Sequence, residues 1–237
     1  MSEHFRTAGE SQADWPTSAK GLEAEQLRLR EARPPPWRPG GAVLLYGGCF
    51  VCFERCSAGP GRPSERAWAG AALVRRGRTL AAEAVEGLAP AAYEAGLLAL
   101  REGALLEAAV RALPEPSDVL LVNATGRDHP RRAGLAVHLG ALLDLPTVGV
   151  THRPLLAAGD WPADRTGATA PLELEGEVVG AWVRTRAGTR PLAVHAGWRT
   201  EASTAAAVVL AAGAGVRTPE ALRQARRVAR SRRAAAQ

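Results

Sequence analysis

The sequence predicts an α/β protein built on one mixed sheet, three antiparallel strands followed by parallel ones, flanked by helices. Three observations carry this expectation. Strand-length apolar runs come first as a group of three, the last two joined by a tight turn. Beyond them, helical periodicity alternates with short apolar runs, which makes those later strands parallel. A chain of 237 residues with 46% hydrophobic content is ample for one core, and nothing in it demands two domains.

Taken in order, residues 1–16 are polar and aperiodic and read as a loose tail. Thr17 or Ser18 caps a helix that runs to about Ala32 on Leu22, Leu27 and Leu29, and the run Pro34-Pro35-Pro36-Trp37-Arg38-Pro39 ends it as a stiff connector. Strands follow over Ala42 to Phe53, Ala67 to Arg75 and Thr79 to Val85, with Arg76-Gly77 turning the last two and a Gly, Pro and Ser-rich loop, Arg55 to Arg66, joining the first two. A helix from Gly96 to Leu113, a buried strand from Asp118 to Asn123, a helix from Arg132 to Leu142 and a short strand from Thr147 to Val150 come next. Val178 to Val183 and Pro191 to Val194 add a strand pair, and Thr200 to Gly213 a helix. Residues 17–215 make the domain, and 216–237 an Arg-rich helix or tail carrying Arg223, Arg226, Arg227, Arg230, Arg232 and Arg233, a solvated terminal helix or one that tracks phosphates. Antiparallel meander, helix, strand, helix, strand is the order of the ribonuclease H-like fold.

The net charge is +6 and the isoelectric point about 10.2, and Lys20 is the only lysine, so the positive charge is almost all arginine. Guanidinium forks suit phosphate, which points to polyanion partners, although a GC-rich genome would produce the same bias. No apolar run approaches the roughly 20 residues of a bilayer span, and no signal peptide stands out, so a soluble cytoplasmic protein without membrane partners is expected. Three cysteines are too few for a disulfide framework.

The chain is organised around the stretch from Leu120 to Gly140, where the apolar run Leu120-Leu121-Val122 ends in Asn123, a Gly126 turn follows, and His129-Pro130-Arg131-Arg132 leads into a helix. This stretch resembles the endonuclease V family, whose pattern here reads Leu-Leu-Val-Asp-Gly-His-Gly-x-x-His-Pro-Arg. The resemblance continues through Leu142 to Val150 and back to Tyr93, Gly96 and Leu100-Arg101-Glu102-Gly103-Ala104, covering most of residues 20–212. It implies a ribonuclease H-like fold and magnesium- or manganese-dependent hydrolysis of a phosphodiester 3′ to a deaminated purine, with hypoxanthine flipped into a pocket.

Such chemistry needs two or three converging carboxylates, because hard divalent cations take oxygen ligands. The resemblance puts the first acid at Phe50 in Gly48-Cys49-Phe50-Val51-Cys52-Phe53, the second at Glu102, which is retained, and the third at Asn123. Glu54 shares the face of Phe50 but lies roughly 13 Å along the strand, too far to stand in. Glu102 and Asn123 are therefore the candidate metal ligands, weak at best. Among the other family positions, His129, Arg131, Gly134, Tyr93 and Gly96 are retained, His152 stands for a lysine, and Trp198 stands for a histidine. Tyr93, Gly96, Asn123, Arg131, Trp198 and Phe50 are the candidate substrate-binding residues. Cys49-x-x-Cys52-x-x-x-Cys56 has a metal-like spacing, but on a strand Cys49 and Cys52 face opposite sides. Cys52, on the face of Phe50, is a candidate thiol with His129 or His152 as base.

Three readings stand together at this level. The first is a relative without metal-dependent cleavage that keeps a nucleic-acid-binding scaffold. The second is a scaffold recruited as a metal-independent enzyme on a small molecule through Cys52, Glu102, His129 or His152. The third is an active endonuclease cutting 3′ to hypoxanthine with magnesium or manganese.

Overall fold

A computed structural model describes residues 15–40, 43–54, 59, 61–213 and 215–236. The elements are α1 (Ala19–Glu31), β1 (Tyr46–Phe53), β2 (Arg66–Arg75), β3 (Arg78–Leu88), α2 (Leu98–Arg111), β4 (Val119–Val122), α3 (Leu135–Leu143), β5 (Thr147–Thr151), β6 (Thr169–Leu174), β7 (Glu177–Val183), β8 (Leu192–Ala196), α4 (Ala202–Gly213) and α5 (Glu220–Ala235). All eight strands form one sheet in the order β3-β2-β1-β4-β5-β8-β7-β6. β1, β4 and β5 run parallel, and every other pairing is antiparallel. This is the meander-then-parallel order that the periodicity predicts.

Two helical layers cover the sheet. Alternation along β1 sends Cys49 and Val51 to one face, where Leu105, Leu106 and Ala109 of α2 and Leu135 and Leu139 of α3 pack on them. On the other face Val148, Val150, Val183 and Val194 meet Ala205, Val208 and Val209 of α4 and Leu222 of α5. The expected N-cap is Ser18, whose hydroxyl accepts from the Gly21 amide at 3.2 Å.

The Arg-rich segment is a helix, and it is not solvated all round. Ala221, Leu222, Ala225 and Ala229 recur on one face and are buried against β1, β2 and β3. Two glycines make the approach possible. A Cβ at Gly48 would lie 2.4 Å from the Ala221 carbonyl carbon, and one at Gly70 2.3 Å from the Ala225 oxygen. Helix backbone thus rests directly on strand backbone.

Other boundaries shift for local reasons. β1 begins at Tyr46, opposite the first residue of β4, and β3 runs on to Leu88 because β2 pairs with it from Arg66 onward. Gly96 has φ +81°, so α2 starts two residues later, at Leu98. Arg132 has φ +54°, which ends a turn rather than opening a helix, so α3 starts at Leu135. β6 is a strand that the periodicity does not predict. Most of the expected tail, and Cys56, fall outside the described residues. Trp15 is anchored: it stacks on His138 at 4.4 Å and donates to Glu107 at 2.7 Å. Among the described residues no helix is long and apolar enough to cross a membrane.

Candidate functional site at the ends of β1 and β4

The parallel pair β1 and β4 matches Cys49 with Val122, which puts Phe50 and Asn123 side by side one residue further on. Phe50 points toward α5, in a cluster with Cys52, Trp68 and Ala229. The Arg226 guanidinium lies 4.9 Å and the Arg230 guanidinium 5.8 Å from the centre of its ring. These two arginines, one helical turn apart, cover the ring where the resemblance expects a carboxylate. Burial, then Arg230 and Arg217, hold Arg226 below the usual guanidinium range, and its Nε is buried without a hydrogen-bond partner. His152 lies at the surface on this side; desolvation, then Arg217 and Arg226, disfavour its cation.

Glu102 approaches from the opposite face, beside Cys49. Burial pushes its carboxyl up to about 8, with Arg101 pulling the other way. The same environment raises the Cys49 thiol, through burial and then the Glu102 charge. Burial also raises Cys52, against the opposing pull of Arg233 and Arg230, so Cys52 is a packed thiol at neutral pH.

A third group sits next door. A cavity of about 150 Å³ is lined by Tyr93, Gly96, Asn123 and His129 together with Gln26 and Thr151. Tyr93 stands half-exposed at it. Gly96, freed for its positive φ, offers a carbonyl that receives three donors: Gln26 Nε2 at 3.0 Å, His129 Nε2 at 3.0 Å and Arg131 Nη2 at 3.3 Å. Arg131 Nε also donates to Gln26 Oε1 at 2.6 Å, and its backbone amide to His129 Nδ1 at 3.2 Å. Both ring nitrogens of His129 are therefore engaged, as N–H donor and as acceptor, and burial lowers it to about 4. It is a neutral strut, not a free base. Arg131 likewise braces the cavity wall. Trp198 lies in a separate cluster with Leu29, Ala133 and Val137, and does not join Phe50 or the cavity.

Three residues escaped the sequence reading. Asp128, fully buried, accepts the amides of Leu155, Leu156 and Ala157 at 2.6–2.8 Å. Its Oδ2 lies 3.5 Å from His195 Nδ1, and His195 Nε2 is 2.8 Å from Thr151 Oγ1, which lines the cavity. Carboxylate, imidazole and hydroxyl line up from the core to the cavity, the carboxylate within ion-pair distance of the ring and the hydroxyl hydrogen-bonded to it. Burial holds His195 below the usual imidazole range although Asp128 pulls it up. With no exposed surface, His195 cannot reach a substrate; it positions Thr151, while Asp128 holds the loop that follows. No spacing signals this arrangement, because its members are 23 and 44 residues apart.

The residues present do not suit a divalent cation. A phenyl ring and a neutral amide stand at two of the three positions where carboxylates are expected, which leaves Glu102 as the one carboxylate, and the Arg226 guanidinium lies over the ring. Among the described residues, no group of three or more His, Cys, Asp or Glu is placed to hold a metal.

An antiparallel meander, a parallel β1-β4-β5 centre and a site at the carboxyl ends of β1 and β4 define a ribonuclease H-like α/β protein. The profile of the Endonuclease V family matches residues 60–227. Endonuclease V of Streptomyces coelicolor is 38% identical over 219 residues, 90% of either chain. The chain belongs to the endonuclease V family. Its structure is similar to that of endonuclease V from Streptomyces avermitilis, with a TM-score of 0.83 and 32% identity over 94% of this chain and 96% of that one. Endonuclease V of Ciona intestinalis, solved in complex with DNA containing an inosine followed by a ribo-adenosine, shares the fold at a TM-score of 0.77 and 20% identity, over 92% and 98% of the two chains.

Proposed function

We propose that this protein binds nucleic acid containing a deaminated purine without cleaving it by the metal-dependent route. The observation that carries the reading is Phe50 lying under Arg226 and Arg230 with the neutral Asn123 beside it, so that cations stand where the family resemblance implies metal-binding carboxylates. The binding side rests on the cavity beside it. Tyr93 offers a face on which a base can stack, and the Asn123 amide and Thr151 hydroxyl offer polar groups to a base edge. The inosine-containing DNA held by the Ciona intestinalis protein supplies the ligand class. Cys52, packed and protonated, and His129, with both nitrogens engaged, support a binder over a metal-independent enzyme.

The test uses a labelled oligonucleotide with one deoxyinosine and a matched deoxyadenosine control, incubated with magnesium or manganese. Retention of the deoxyinosine strand, intact and preferred over the control, is expected. Metal-dependent nicking would overturn the reading, as would failure to bind either strand.

A further inference from the structure

α5 presents a row of cations with almost no anions. Its single acid, Glu220, is taken by Arg223 at 2.9 Å and by Gln224. Among the described residues neither Arg226 nor Arg230 has a carboxylate within ion-pair distance. Arg227 donates to the neutral Gln224 at 2.7 Å. Arg223, Arg226, Arg227 and Arg230 instead surround a shallow, open hollow with Ser231. Arg217 adds its charge from the turn before the helix, held there by the Arg190 and Pro191 carbonyls. Like charges are thus kept within mutual reach, one is partly desolvated, and its Nε has no acceptor. Such a cluster is relieved by one kind of ligand, an anion with several acceptor oxygens.

Position narrows the choice. The Phe50 ring holds the two guanidiniums from below by cation–π contact, and His152 is near enough to Arg217 and Arg226 for their charges to disfavour its cation. Asn123, next to Phe50, also lines the base-sized cavity. An anion resting on Arg226 and Arg230 would therefore belong to the same ligand as a base in that cavity. The geometry points to a phosphate seat made of protein cations: Arg226 and Arg230, laid over Phe50, take a backbone phosphodiester of the bound nucleic acid where the family resemblance implies metal ions, so binding requires no divalent cation. This rests on the nucleic-acid reading above and adds the subsite and its independence of metal.

The experiment is fluorescence anisotropy with a labelled single strand carrying one deoxyinosine, in EDTA and in magnesium, across a range of sodium chloride. Three proteins are compared: the natural chain, Arg226→Gln/Arg230→Gln, and Arg75→Gln/Arg78→Gln, which removes two exposed charges at the opposite end of the sheet. The natural chain should bind equally well in EDTA and magnesium. The α5 variant should bind at least about tenfold more weakly, with a log–log salt slope shallower by about 0.7 for each phosphate it no longer neutralises, while the hairpin variant changes little. If the double variant melts early, Arg230→Gln alone, at an exposed position, carries the same expectation with half the change in slope. An unchanged affinity and slope in the α5 variant would overturn the seat and leave the nucleic-acid reading standing, as would binding that vanishes in EDTA. No binding by the natural chain would remove the reading itself.

Discussion

Placing carboxylates at positions 50 and 123, where the family resemblance expects them, should not by itself create a metal site. In Phe50→Asp/Asn123→Asp the new carboxylate at position 50 would lie close to the Arg226 guanidinium, now 4.9 Å from the ring centre. At an effective dielectric constant of about 20, opposite charges at that separation attract by about 3 kcal/mol, and screening at a half-exposed site reduces this to about 2. That attraction competes with metal for the carboxylate, and the guanidinium also repels a divalent cation directly. The double variant should therefore bind Mn²⁺ roughly 30-fold more weakly than a triple variant that adds Arg226→Ala, at about 1.4 kcal/mol per tenfold. Isothermal titration with Mn²⁺ in the two proteins measures this difference directly, with circular dichroism to verify that both are folded. Equal Mn²⁺ affinity in the double and triple variants would refute the assignment of Arg226 as the charge that replaces the metal.

Other perturbations test the scaffold. Burial lowers His138 from 6.5 to about 4, so the unfolded chain takes up its proton first and stability falls as pH drops from 6.5 toward 4. His138→Phe keeps the stack on Trp15 and removes the titration; from pH 7 to pH 5 the natural chain should lose about 2 kcal/mol more than the variant in urea melts, and parallel profiles would count against the buried neutral ring. Asp128→Ala removes the acceptor of three amides, of which only that of Ala157 belongs to a buried residue, so a loss of about 2–4 kcal/mol is expected by denaturation; a loss below about 1 kcal/mol would show that water replaces the carboxylate. Gly70→Val drives its Cβ into the Ala225 carbonyl and should cost about 3 kcal/mol, the upper end of the overpacking range, while making α5 an early trypsin target; an unchanged digestion pattern would contradict the backbone contact.

The order of elements was legible because strand and helix periodicities differ and the second and third strands are joined by a recognisable turn. β6 was not, since Thr169-Ala170-Pro171-Leu172-Glu173-Leu174 holds a proline and only one buried residue, and it becomes a strand by pairing with β7 at the sheet edge. The docking of α5 was in the sequence as the spacing of Ala221, Leu222, Ala225 and Ala229, but six nearby arginines masked a stripe made of small residues. For the candidate site, the resemblance pointed to Phe50, Asn123, Tyr93 and His129 along the chain, of which Tyr93, Asn123 and His129 line one cavity. It could not show that Arg226 lies over Phe50, because 176 residues separate them and no local pattern links them. The engagement of both His129 nitrogens depends on Gly96 and Arg131, a constraint that only the assembled turn reveals.

The seating of α5 on the glycines of β1 and β2 also sets an order of events during synthesis. At about 5–20 residues per second, roughly 7 to 30 seconds pass between translation of Leu88, the end of β3, and Ala235, the end of the helix. Throughout that interval Phe50, Cys52 and Trp68 lack the helix that packs on them in the folded chain. Docking of that helix delivers Arg226 and Arg230 to Phe50 in the same movement. On the reading proposed above, the anion seat comes into being only when the helix that carries it has docked on the sheet.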